Sequence, residues 1–171
     1  MDLTNYIRTI PDFPIKGILF RDITTLLKDK TAFKEALERL YEIASKYKVD
    51  KVAAIESRGY ILASVIAYKL NAGFIPIRKP GKLPAETVKI NYSLEYGSNE
   101  LEIHKDSISK GEKILLLDDL LATGGTAAAS AELIESLGGT VEAIIFLIEL
   151  ESLNGKENLQ KYNVHSLITF S

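Results

Sequence analysis

The chain of 171 residues is 46% hydrophobic and 26% charged, with 21 basic against 23 acidic side chains and a formal charge of -2. That is the size and composition of one globular domain with a sizeable core, and a near-neutral chain lacks the basic surface that sequence-independent nucleic-acid binding needs. The absence of cysteine excludes a disulfide framework, a thiol nucleophile and a thiolate zinc site, and two histidines, His104 and His165, are too few for a histidine metal cluster.

The first residues, MDLTNYIRTI, have neither a basic nor an apolar targeting region, and no apolar run approaches the ~18 residues that cross a bilayer. The expectation is a cytoplasmic setting without membrane contact. Phe20-Arg21-Asp22-Ile23-Thr24 stands outside any regular pattern and reads locally as an edge strand or a cap. From Thr31 to Tyr47 the apolar residues Phe33, Leu37, Leu40, Tyr41, Ala44 and Tyr47 recur largely at three- and four-residue intervals, with charges between them, which predicts an amphipathic helix. Lys51 to Ile55 then reads as a strand, Gly59 to Leu70 as a helix and Gly73 to Ile77 as a second strand.

RKPGKLP, Arg78 to Pro84, breaks this rhythm with two prolines, a glycine and three cations, and must be a loop. Val88 to Leu94 and Leu101 to His104 alternate around Tyr96-Gly97-Ser98-Asn99 and predict a hairpin, an antiparallel excursion suited to a flap. The α/β rhythm resumes with strand Lys113 to Leu117, helix Gly125 to Leu137 stopped by Gly138-Gly139, and strand Val141 to Leu150. A last helix near Glu157 to Tyr162 and a strand Val164 to Phe170 complete an α/β fold with a mostly parallel sheet flanked by helices.

The segment richest in chemistry is ILLLDDLLATGGT, Ile114 to Thr126. Four apolar residues end at Asp118-Asp119, which puts both carboxylates at the carboxyl end of a strand, where open α/β sheets hold their ligands. The glycine pair Gly124-Gly125 precedes a helix, so the N–H groups from Ala122 to Thr126 can surround a phosphate, with Thr123 and Thr126 adding hydroxyls. Read locally, the aspartates could equally be turn residues and Thr123 a helix cap. The full Asp-Asp-x-x-x-Thr-Gly-Gly-Thr spacing says more, and it is neither a Walker sequence nor a dinucleotide glycine fingerprint.

Two other segments can meet anions. Glu56-Ser57-Arg58-Gly59 follows a strand and opens a helix, so its N–H groups and Arg58 suit a second anion, although a plain helix start fits as well. Arg78, Lys79 and Lys82 place cations on a loop that could serve phosphate oxygens or merely face solvent.

ILLLDDLLATGGT resembles the 5-phosphoribosyl pyrophosphate motif of the type I phosphoribosyltransferases. RKPGKLP followed by YSLEYG and LEIHKD, together with FRDI, is similar to the adenine-specific branch of that family, in matching order along essentially the whole chain. The resemblance implies a single phosphoribosyltransferase domain with an N-terminal hood over residues 1–30 and a flexible loop and hairpin over 79–104. It implies transfer of phosphoribose from 5-phosphoribosyl 1-diphosphate (PRPP) to adenine, giving AMP and diphosphate, with magnesium, in a homodimer whose interface lies near the 78–84 loop.

By the same resemblance Ala122, Thr123, Gly124, Gly125 and Thr126 hold the 5-phosphate, while Asp118 and Asp119 face the ribose hydroxyls directly or through magnesium. Glu56, Ser57, Arg58 and Gly59, with Arg78, Lys79 and Lys82, bind the diphosphate side, and Arg58 and Lys79 also assist its departure. Leu19, Phe20 and Arg21 of the hood contact the base, with Leu150 on its other side. Glu86, Glu95, Glu100 and Glu102 all lie near the flap and spacing does not choose among them; the match of SLEYG selects Glu95 as the acid or base, with Tyr96 beside it. Leu62-Ala63-Ser64 departs from relatives that carry an aromatic residue and a glycine there, away from every proposed contact.

Two rivals remain at this point. A sister enzyme for hypoxanthine, guanine or xanthine commonly reads the exocyclic oxygen with a lysine near the last strands, and Glu149-Leu150-Glu151 offers none there. A PRPP-sensing regulator would need a DNA-binding domain or a basic face, for which the chain has little room or charge.

Overall fold

Uninterrupted apolar runs suit strands of a parallel sheet that is covered on both faces, and the computed structural model places these runs there. It describes residues 1–94 and 97–171, the side chains at 94 and 97 excepted. The chain divides into two compact units, 1–39 and 40–171.

The first unit holds a two-stranded antiparallel sheet of β1 (Arg8–Pro11) and β2 (Leu19–Asp22), followed by the short helix α1 (Thr24–Lys28). The FRDI segment is therefore a strand that runs into a helix. Asp22 makes the junction: its carboxylate accepts from Arg8 Nε at 3.0 Å and from the Thr24 N–H at 2.9 Å. Helix α2 (Lys30–Ala44) begins in this unit, with the Asp29 carboxylate accepting the N–H groups of Thr31 and Ala32. Its buried face is Ala32, Ala36, Leu37, Leu40 and Ala44, whereas the predicted stripe members Phe33 and Tyr41 are half-buried. Tyr47 lies beyond the helix, its hydroxyl 2.6 Å from His165 Nε2.

The second unit is built on a five-stranded sheet in which β3 (Lys51–Ile55), β4 (Gly73–Ile77), β7 (Lys113–Leu121), β8 (Thr140–Leu150) and β9 (Val164–Phe170) are all parallel, in the order β4-β3-β7-β8-β9. Helices α3 (Arg58–Leu70) and α4 (Gly125–Ser136) join its strands, and β5 (Thr87–Leu94) with β6 (Gly97–His104) forms the separate hairpin. Ile114 to Leu117 and Ala143 to Ile148 are almost fully excluded from solvent, and each such Leu or Ile side chain contributes roughly 1.5–3 kcal/mol. Leu62 and Ala63 are buried in α3. No helix among the described residues is long and apolar enough to cross a membrane.

Three expectations are corrected. β6 starts at Gly97 and not at Leu101, so Gly97, Ser98 and Asn99 pair with Leu94, Ser93 and Tyr92 and do not form the turn. β7 does not stop at Leu117 but runs on to Leu121, because β8 is long enough to keep pairing as far as Leu121 with Glu149. Asp118 and Asp119 thus sit inside the last part of the strand, both against the start of α3. The last helix, expected near Glu157 to Tyr162, is replaced by two 3-10 turns, Glu151–Leu153 and Gly155–Leu159. Asn154 between them adopts a left-handed conformation with φ of 50°, and only Gly155 and Leu159 are buried, so no continuous apolar stripe supports an α-helix.

Candidate active site

A cavity of about 580 Å³ lies at the carboxyl ends of β3 and β7, the ligand position of open α/β sheets. From β3 and the start of α3 come Ile55, Glu56, Ser57 and Arg58; from β7 and the following turn come Asp118 through Thr126. The hairpin adds Tyr92, Asn99 and Leu101, the 78–84 loop adds Lys79, and Phe146 lines it from β8.

Two helices open onto this cavity. α4 starts at Gly124, in the left-handed region with φ of 83°, and no side chain caps its N-terminus. Thr123 therefore does not act as the cap that local sequence allowed. α3 starts at Ser57, again without a side-chain cap. Both helix starts keep unsatisfied N–H donors and the positive end of the helix dipole, which is the arrangement that binds phosphate. The peptide bond between Glu56 and Ser57 is cis.

The turn at 122–126 is held from behind by the 3-10 segment Gly155–Leu159, which the sequence did not mark as part of the site. Asn158 Nδ2 donates to the Thr123 carbonyl at 2.7 Å. A β-carbon on Gly124 would lie 2.3 Å from the Gly155 carbonyl oxygen, and one on Gly155 would lie 2.3 Å from that of Ala122. Glycine at both positions lets two backbones touch, and this reciprocal need is invisible without the fold.

The carboxylates between the helix starts differ in surroundings. Asp119, only 6% exposed, pairs with Arg58 Nε at 2.8 Å. Asp118 accepts the Asp119 N–H at 2.9 Å. Burial first, and the neighbouring Asp119 charge second, push the Asp118 carboxyl well above its usual range, with the Asp119 N–H and Arg58 acting the other way. A cation or a hydroxyl donor from a ligand would satisfy that carboxyl. Glu56 is engaged too: its carboxylate pairs with Arg78 Nη2 at 3.0 Å and accepts the Lys79 N–H at 2.7 Å. Burial would raise Glu56, but the Lys79 N–H and Arg78 outweigh it and hold the group below its usual range.

Of the expected contacts, Glu56, Ser57, Arg58, Lys79, Asp118, Asp119 and Ala122 to Thr126 meet in the cavity. Gly59 lies directly behind Asp118, and Arg78 and Lys82 lie outside the lining, Arg78 as the partner of Glu56. Leu19, Phe20 and Arg21 are on β2 in the first unit, where Phe20 packs edge-on against Phe13 and Arg21 donates to Thr9 Oγ1. Leu150 closes β8, half-buried. Glu95 and Tyr96 lie outside the described residues. Tyr92 and Asn99, a cross-strand pair on the hairpin, were not anticipated as lining residues; their side chains reach the cavity only because the hairpin packs beside α4.

Residues 23–169 match the family model described as phosphoribosyl transferase domain. An adenine phosphoribosyltransferase of Thermotoga neapolitana is 54% identical over 99% of this chain and 100% of its own length. One from Thermosipho africanus is 56% identical over 98% of this chain and 99% of its own. The crystal structure of adenine phosphoribosyltransferase from Thermoanaerobacter pseudethanolicus superposes with a TM-score of 0.97 at 53% identity, covering 99% of this chain and 98% of that one. With the whole length matched and a cavity at the carboxyl ends of the sheet strands, the chain belongs to the phosphoribosyltransferase family and, within it, to the adenine phosphoribosyltransferases.

Proposed function

We propose that this chain transfers the 5-phosphoribosyl group of PRPP to adenine, releasing diphosphate and forming AMP, as a purine salvage enzyme. The observation that supports it best is the pair of uncapped helix starts on one cavity with two carboxylates between them. PRPP is a ribose with an anion at each end, and it needs two anion sites separated by acceptors for its hydroxyls.

In this reading Ala122 to Thr126 receive the 5-phosphate, Asp118 and Asp119 accept from the ribose hydroxyls, and Ser57, Arg58 and Lys79 face the diphosphate. Leu19, Phe20 and Arg21, with Leu150, serve the base. The bond from the anomeric carbon to the diphosphate oxygen breaks, its electrons leave with the diphosphate, and a ring nitrogen of adenine supplies the new bond. The transition state carries oxocarbenium character, as in other glycosyl transfers. The chain's share is therefore positioning, cationic support for the leaving group and exclusion of water. Glu95, with Tyr96, is assigned the proton exchange that keeps the attacking nitrogen electron-rich.

Magnesium fits these donors. Two adjacent carboxylates line the cavity, and among the described residues no cluster of three or more metal-binding side chains exists. An ion that prefers oxygen and usually borrows ligands from phosphates and water suits such a partial set. When bound, it neutralises charge on the leaving diphosphate. The enzyme is further assigned to the cytoplasm as a homodimer with its interface near residues 78–84, which light scattering tests.

Diphosphate release from PRPP and magnesium, followed with each purine base in turn, tests the assignment. Turnover is expected with adenine. Turnover confined to hypoxanthine, guanine or xanthine would overturn the choice of base, and no release with any purine would overturn the activity.

A further inference from the structure

Tyr92 lies opposite Asn99 across the hairpin, and its ring packs against the core of the second unit. The phenol oxygen is 3.1 Å from Thr126 Oγ1. The ring also passes close to the cradle backbone, 3.9 Å from where a β-carbon on Gly125 would stand. Thr126 is the second residue of α4 and supplies the last hydroxyl of the cradle.

A hydroxyl has one proton to give and two lone pairs to accept with. If Thr126 gave its proton to Tyr92, the cradle would lose a donor. If Tyr92 donates instead, the threonine keeps its proton for an anion in the cavity, and two hydroxyls in series polarise toward that charge. An anion in the cradle favours the second arrangement. Ser130 Oγ, one turn on, donates to the Thr126 carbonyl at 2.8 Å and not to the hydroxyl.

We propose that Tyr92 is a positioning residue: its phenol donates to Thr126 Oγ1 and thereby turns the threonine proton toward the 5-phosphate. The role rests on the ribose-phosphate reading of the cavity given above. It also ties the hairpin to the cradle, since the same strand leads to Glu95 three residues later in the sequence.

Calorimetry with ribose 5-phosphate, alongside steady-state kinetics, tests this on the wild type, Tyr92→Phe, Thr126→Val, the double variant and Thr126→Ser with and without Tyr92→Phe. Loss of one hydroxyl bond is expected to weaken ribose 5-phosphate binding about 3- to 10-fold and to raise the KM for PRPP in step. The melting temperature of Tyr92→Phe should hold, and its loss should appear in KM more than in kcat. Tyr92→Phe should add nothing in the Thr126→Val background and should keep its effect in Thr126→Ser. Wild-type affinity in Tyr92→Phe, or full additivity with Thr126→Val, overturns the proposal while leaving the ribose-phosphate reading intact. A wild type that does not bind ribose 5-phosphate overturns both.

Discussion

A β-carbon added to Gly59 would lie 2.8 Å from Asp118 Oδ1 and 3.4 Å from the Leu117 carbonyl oxygen. The first turn of α3 therefore approaches β7 as closely as a backbone without a side chain allows. Glycine here is required by contact, since its φ is not in the left-handed region. Gly59→Ala should turn the Asp118 carboxylate away while the core stays packed. Thermal unfolding is expected to show a small drop in melting temperature, whereas kcat/KM for PRPP falls about 10- to 100-fold, the scale on which misplacement near 1 Å acts. An unchanged kcat/KM would mean that the Asp118 orientation is immaterial.

Gly155 tests the wall behind the cradle. Its missing β-carbon would meet the Ala122 carbonyl oxygen at 2.3 Å and Leu121 Cδ1 at 2.8 Å. A leucine tip can move, but a backbone carbonyl cannot move without carrying the 122–126 turn with it. Gly155→Ala should cost about 1–3 kcal/mol in denaturant unfolding, the usual range for overpacking, and should weaken PRPP more than adenine. Equal losses for the two substrates would show that the wall supports the fold in general and not the cradle.

The reach of the sequence can be judged from these residues. The strands at 51–55 and 73–77 were legible to the residue: Val52 to Ile55 is an unbroken buried apolar run, and the edge strand, with Ile75 and Ile77 buried, is bracketed by Gly73 and the RKPGKLP loop. The α4 stop was legible for a different reason: Gly138, with φ of 89°, lets its own N–H and that of Gly139 reach the Glu135 and Ile134 carbonyls. The end of β7 was misjudged because Asp118 and Asp119 look like a break, and only the length of β8 keeps the pairing going. The cradle loop could be read from its glycines and threonines. Its supports could not, since Gly155, Asn158 and Tyr92 are 29 or more residues away in the sequence and meet the loop only in space.

Asp22 should make the stability of the first unit depend on acid. Burial would raise its carboxyl, but the bonds from Arg8 and Thr24 prevail and bring it from 3.8 to about 2. A folded value below the unfolded one gives stability that is complete above about pH 4 and is lost as the pH falls toward 2. The shift corresponds to about 2.5 kcal/mol at most, and since the Arg8 side chain is 55% exposed, about 1 kcal/mol is the better expectation. Denaturant unfolding of the wild type and Asp22→Asn should differ by that amount at neutral pH and converge near pH 2. A gap that stays constant down to that pH would rule out the ionised carboxylate as its source.

The carboxylates of the cavity and of the hairpin should fail in different ways. Asp118→Asn with Asp119→Asn keeps shape and most hydrogen-bonding capacity but removes both ionisable carboxyls beside the proposed ribose position. It also strips Arg58 of the partner at 2.8 Å. Magnesium-dependent binding of PRPP should be lost in calorimetry, with the circular dichroism spectrum of the fold retained. Glu95→Gln removes an acid or base and leaves the cradle whole, so ribose 5-phosphate should bind as before while turnover falls roughly 10²-fold or more. The contrast is the useful part. If the aspartate pair instead lowered kcat at unchanged affinity, the carboxylates would be acting on the reaction and not on binding. Full turnover in Glu95→Gln would remove Glu95 from the mechanism; Glu100 and Glu102 do not replace it, since they pair with Lys89 and alternate with the cavity-lining Asn99 and Leu101.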